Sequence, residues 1–294
     1  MKSHFEVLQP TTVAQAIALK RRYGKTAKFW AGGTDMTLLW QRSLVELDQS
    51  IDITGVRGLN KIRTAKHAIE IGALVTLAQL ERAADRHPLL KTLSDVTKLM
   101  CTPQTRTLAT VGGNICNASP AADLSPVFVA LDALAVLTGA GGDRSMKMVD
   151  LFTGPKRTAI KASEMLTSIK IPLPPGTIAA SYRRVARTVV DIALVNSSSS
   201  VTVNAQGAIT RVLIGLGAVA PVILRAPDAE RCLRGASIKN LARPLLEEAG
   251  LKAAEVVQPI TDVRASADYR RHMIKILVRR TLEDCIAELG GEVV

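Results

Sequence analysis

Aromatic residues are scarce, with four Phe, three Tyr and two Trp in 294 residues. That is poor equipment for stacking bases, so the formal charge of +12 does not by itself make a nucleic-acid partner, and none is expected. Cysteine is scarce as well. Cys101, Cys116, Cys232 and Cys285 occur singly, with no C-x-x-C and no Cys/His cluster, so neither a structural zinc site nor a thiolate-held iron–sulfur cluster finds the spacing it needs. No metal site is assigned, and any redox cofactor must be held without thiolates. Long apolar runs are missing too. The longest, 212–224, is broken by Gly215, Gly217 and Pro221 and is too short for a bilayer. The start, MKSHFEVLQPTTVAQA, has no apolar signal region. A chain without a transmembrane segment, in a reducing, cytoplasmic compartment, is expected. His4, His67, His87 and His272 stand apart from any serine or carboxylate motif, so no catalytic residue is assigned.

What is present is an ordinary globular composition, 47% apolar and 22% charged, enough for a packed core and one to three domains. Residues 6–8 and 27–30 read as strands around a helix opened by Thr11 or Thr12 and stopped by Gly24. Residues 36–40 read as helix, 51–53 and 68–71 as strands, and 76–84 and 88–100 as helices. Beyond, 123–131 reads as helix, 134–137 and 165–171 as strands. Pro172, Pro174 and Pro175 then mark a boundary. The runs 192–203 and 209–219, joined by Asn204-Ala205-Gln206-Gly207, read as a hairpin in which Ser197–Ser200 packs closely against a neighbour. A helix over 267–289 closes the chain.

Two glycine signatures are decoys. Gly215-Leu216-Gly217-Ala218-Val219-Ala220 satisfies G-x-G-x-x-A, but Pro221 and an extended stretch follow where a helix is required. Gly24-Lys25-Thr26 ends like a phosphate loop, yet Leu19 stands where the first glycine should be. Two other glycine pairs are better placed. Ala31-Gly32-Gly33-Thr34-Asp35 lies between a strand and a helix, where successive N–H groups converge on an anion. Thr110-Val111-Gly112-Gly113-Asn114 offers a second such loop. Without Cβ atoms both can approach a phosphate closely, and Thr34, Thr110 and Asn114 add side-chain donors.

The strings AGGTDMTLL, SIDITGVRGLNKI, IEIGALVTLAQLE, TVGGNICNASPAADLSPV, SEMLTSIKIPLP and DVRASADYRRHMIKILVRR occur in an order that resembles the FAD-binding medium subunit of molybdenum hydroxylases, the carbon monoxide dehydrogenase and xanthine dehydrogenase family. The resemblance spans essentially the whole chain. It implies an α+β protein: a two-subdomain FAD-binding fold of the vanillyl-alcohol-oxidase type over 1–55 and 56–174, then a small C-terminal α/β domain over 175–294. By matching positions it assigns Ala31, Gly32, Gly33, Thr34 and Asp35 to a first diphosphate loop and Thr110, Val111, Gly112, Gly113 and Asn114 to a second. Asp123 becomes an acceptor for ribose or ribityl hydroxyls, and Leu166 a neighbour of the flavin ring. Tyr182 is placed for packing against flavin or adenine, and Arg183 stands where relatives often carry lysine.

The resemblance further implies partners: a molybdenum-cofactor large subunit and a [2Fe–2S] small subunit, in a dimer of heterotrimers. The FAD of this chain would then pass electrons from the clusters to an external acceptor. Two readings compete with it, a self-contained flavin oxidase and a basic nucleic-acid-binding module.

Overall fold

The computed structural model describes residues 4–294. Its first layer is a parallel three-stranded sheet of β1 (Glu6–Leu8), β2 (Ala27–Trp30) and β3 (Gln49–Asp52), with β3 in the middle. Helix α1 (Val13–Tyr23) packs on it through Ala16 and Ile17. Its N-cap, Thr12, accepts the Gln15 N–H while the Gln15 side chain reaches back, a capping box that fixes where the helix starts. Gly24 ends it at φ +68, so the phosphate-loop decoy is indeed a helix stop. Helix α2 (Met36–Gln41) leads out of β2 toward β3.

The second layer is an antiparallel sheet of β4 (Ile62–Ala65), β5 (Ala68–Gly72), β6 (Leu134–Gly139), β7 (Gly142–Lys147) and β10 (Met165–Pro172), in the order β4-β5-β10-β6-β7. The largest core cluster joins this sheet to α3 (Leu77–Glu81), α4 (Pro88–Lys98), α6 (Val111–Cys116), α7 (Leu124–Ala130) and α8 (Met148–Leu151), with the short α5 (Pro103–Leu108) lying against α3. A small hairpin, β8 (Phe152–Gly154) with β9 (Arg157–Thr158), sits beside it. Leu74 and Met165 belong to the first sheet's cluster, so the two layers share apolar packing.

After the prolines come β11 (Thr177–Val185), β12 (Val195–Val203), β13 (Ile209–Gly217) and β14 (Leu224–Arg225), an antiparallel sheet in sequence order. Its outer face carries α9 (Pro227–Cys232), α10 (Arg243–Glu255) and α11 (Ala267–Glu288). Its inner face packs on α7 and α4. Covered on both sides, β12 is buried at every position, which is why a run of serines can lie there. Ser198 donates to the Ser181 carbonyl, Ser200 to the Ala130 carbonyl, and Ser199 bonds Thr281. The G-x-G-x-x-A run owes its glycines to packing: a Cβ on Gly215 would collide with the Pro126 carbonyl and one on Gly217 with the Asn196 side chain.

Candidate cofactor site

The turn from β2 into α2 runs through Ala31-Gly32-Gly33-Thr34-Asp35. Gly33 has φ +69, a left-handed conformation costly for residues with a Cβ. A Cβ on Gly32 would collide with the Leu108 carbonyl, so that glycine lets the turn lie against the end of α5. Trp30 backs Gly33. Phe5 stacks on Trp30 at 5.8 Å and meets Trp40 edge-on at 5.1 Å, so three of the few aromatic side chains brace this turn. Among the described residues, the N–H groups of Gly32, Gly33, Thr34 and Asp35 find no protein acceptor. Adjacent free amides form a surface suited to phosphate oxygens.

The second glycine pair differs from the expectation of an open loop. Thr110 is the N-cap of α6, and both glycines lie in the helix's first turn. Its amides are occupied: Val111 donates to Val75 at 2.9 Å, Gly112 to Ala73 at 2.9 Å, Gly113 to Thr110 Oγ1 at 3.0 Å and Asn114 to the Thr110 carbonyl at 3.0 Å. Gly112 is required by packing, since a Cβ there would stand 2.6 Å from the Ala73 oxygen. What α6 offers is the Asn114 Oδ1, a buried acceptor with no partner among the described residues. A buried polar atom left unpaired is costly unless a ligand completes it.

These two segments face each other across a cavity of about 610 Å³, within the range usual for cofactor and small-molecule sites. Ala31 to Asp35, Thr110, Gly112, Gly113 and Asn114 line it, and Leu39, Ile53, Leu74, Met165 and Leu166 give it apolar walls. Two carboxylates line it. Asp35 accepts from Asn117 Nδ2 at 3.2 Å. Glu164 receives Arg144 Nε and NH2 at 2.7 and 2.8 Å and the Lys161 N–H at 2.9 Å, and this grip holds its carboxyl down at about 2. Cys116 is exposed and opens onto the cavity. Free amides, an unpaired Asn114 acceptor and apolar walls fit a cofactor with a diphosphate and a flat ring system.

Four expected residues stand elsewhere. Val111 is fully buried in the core, on the side of α6 away from the cavity. Asp123 sits buried at the start of α7. It accepts from the Tyr182 hydroxyl and from Arg184 NH1, at 3.1 Å to each oxygen. Burial pushes its carboxyl up against the pull of Arg184 and Tyr182, and the Tyr182 hydroxyl is itself raised well above its usual value by burial. Arg184 NH2 donates further to the Leu99 and Val189 carbonyls, both at 2.6 Å. Strand alternation turns Arg183 the other way. It meets Asp284 of α11 at 2.7 Å through two nitrogens, beside Ser181. None of Val111, Asp123, Tyr182 and Arg183 lines the cavity.

Among the cavity residues that escaped the sequence reading are Asn117, Glu164 and Lys156. Asn117 lies three residues beyond Asn114 at the C-cap of α6, a helix too short for its period to mark the residue in the sequence. Glu164 and Lys156 lie on segments where no spacing marks them. Elsewhere, Arg270 of α11 is buried and donates to the Leu194 and Ala218 carbonyls and to Asp262.

Fold and cavity together define a cofactor-carrying chain with a diphosphate-type cradle. Comparison with known proteins agrees. Residues 3–174 match the family model for the FAD binding domain in molybdopterin dehydrogenase, and 180–285 match the CO dehydrogenase flavoprotein C-terminal domain. The carbon monoxide dehydrogenase medium chain of Afipia carboxidovorans is 30% identical over 95% of this chain and 96% of its own. The glyceraldehyde dehydrogenase medium chain of Sulfolobus acidocaldarius is 28% identical over 86% and 89%. A chain of reconstituted CO dehydrogenase from Oligotropha carboxidovorans superposes with a TM-score of 0.91 at 29% identity, covering 98% of this chain and 99% of that one. The chain belongs to this family, as an FAD-binding medium subunit of the molybdenum hydroxylases and part of an oxidoreductase. Among the described residues no helix is long and apolar enough to cross a membrane.

Proposed function

We propose that this subunit receives electrons from the [2Fe–2S] clusters of a small partner subunit and delivers them to an external acceptor, the substrate being oxidised on a molybdenum-cofactor large subunit. FAD bound in the cavity supplies the redox chemistry, because a flavin accepts electrons singly or in pairs. The protein's part is to hold and orient it. Gly32, Gly33, Thr34 and Asp35 offer amides to the diphosphate, with Thr110 and Gly113 across from them. Asn114 Oδ1 accepts a hydrogen bond from the cofactor. Leu166 and Met165 wall the ring.

The observation that carries this reading is the cradle itself: the amides of Gly32, Gly33, Thr34 and Asp35 find no protein acceptor among the described residues, and the unpaired Asn114 Oδ1 and the apolar walls line the same cavity. Groups so arranged suit an anion joined to a flat ring, and Glu164 on the same wall is taken by Arg144. The relatives' names span carbon monoxide and glyceraldehyde, which supports placing substrate choice on another chain. We place the assembly in the cytoplasm as a dimer of heterotrimers.

Stopped-flow absorbance of the flavin tests the reading. Substrate should leave the isolated FAD-loaded chain oxidised and should reduce it rapidly once the iron–sulfur and molybdenum subunits are added. Full-rate reduction of the isolated chain by an aldehyde or purine would replace this proposal with a self-contained oxidase.

A further inference from the structure

Lys156 is the one lysine or arginine among the described residues lining the cavity. It lies between β8 and β9 at φ +59, and its N–H donates to the Ala118 carbonyl at 3.0 Å, so the hairpin is tied to the end of α6. Its Nζ donates to Asn117 Oδ1 at 2.8 Å, and Asn117 Nδ2 donates to Asp35. The ammonium is thus joined through one amide to the residue that closes the run of free N–H groups. Neither cavity carboxylate pairs with it: Glu164 is taken by Arg144 and Asp35 by Asn117.

A cradle made of amides carries only partial positive charge, and Asp35 adds a full negative charge beside it. A dianionic diphosphate held there needs a cation. Resting on the reading that the cavity holds FAD, we propose that Lys156 is a diphosphate-binding residue, kept aimed by Asn117 until cofactor phosphate takes over its ammonium. A compact ammonium on a flexible stem can make that exchange with little movement of the backbone.

Titration of apoprotein with FAD, followed by flavin fluorescence at several salt concentrations, is the test. Lys156→Met should weaken binding about tenfold and flatten the dependence of affinity on salt, while Lys156→Arg should stay within about threefold of the parent. Lys156 is exposed on its hairpin, so the thermal midpoint of the apo variant should not move. Unchanged FAD affinity and salt slope in Lys156→Met would overturn the assignment. So would a shifted flavin midpoint potential at unchanged affinity, which would put the ammonium beside the ring. Failure of the parent protein to bind FAD would strike the underlying reading instead.

Discussion

Replacing Arg184 with methionine isolates the energetics of the buried junction between the FAD-binding layers and the C-terminal sheet. Arg184 and Asp123 leave only 7% and 12% of their side chains accessible. Removing the guanidinium strands a buried carboxylate and leaves the Leu99 and Val189 carbonyls unpaired. Breaking one side of a buried ion pair costs about 3–5 kcal/mol, and the loss should show a particular pH dependence. Burial already raises Asp123 in the folded state, and without Arg184 nothing cationic opposes it. The folded variant then holds its proton more tightly than the unfolded chain, so its stability is greatest below the ordinary carboxyl value and falls as pH rises through the raised folded value. Urea unfolding at about pH 5 and about pH 8 should therefore give a smaller deficit at the lower pH, with other carboxyls cancelling between parent and variant. Asp123→Asn combined with Arg184→Met should recover part of the loss, because no charge is then stranded. A deficit below about 1 kcal/mol, or one equal at both pH values, would refute the reasoning.

Two further outcomes follow from the cavity walls. Gly33→Val and Gly113→Val should each abolish FAD retention in a chain that still folds, whereas Gly32→Val and Gly112→Val should fail to fold, because a side chain there strikes backbone carbonyls; soluble yield and bound flavin absorbance separate the two pairs. Glu164 is held at about 2 against an ordinary 4.5, so its contribution is present above 4.5 and lost as pH falls toward 2. Glu164→Gln should remove about 1 kcal/mol from stability near neutral pH and flatten that stretch of the acid-unfolding curve.

Most elements were legible where local chemistry dictated them. Thr12 and Thr76 cap helices as their side chains allow, and Asn204 to Gly207 turns the β12–β13 hairpin. The short helices 103–108 and 111–116 were not, because Thr102 and Thr110 cap segments too brief to show a period. For the same reason Gly112-Gly113 reads as a loop while being the start of a helix, its conformation set by contact with the β5–α3 connection. The strand 62–65 was missed because it is exposed at all but its first residue and carries Arg and Thr. At the cavity, the first glycine turn could be read from its strand-and-helix flanks. Lys156 and Arg144 could not, since tertiary folding alone brings the hairpin and β7 to that wall. Tyr182 and Arg183 show a different limit: adjacent in sequence, they take opposite faces of β11 and serve different carboxylates.

The seating of α7 has a consequence for how this chain can be built. All seven of its residues are buried, and the side it turns away from the FAD-binding core is covered by β12 and β13, with Asn196, Ser200 and Ala218 bonded to carbonyls at 122, 130 and 120. During synthesis the first 174 residues leave the ribosome with that helix unroofed. The cofactor-binding half therefore completes its own interior only after more than forty further residues have emerged, through Gly217 at the end of β13. Cutting at the proline cluster would yield a fragment with an exposed apolar ridge and unmet carbonyls, so the two family domains, separable as sequence units, form one cooperative body that has to be expressed, engineered and inherited together.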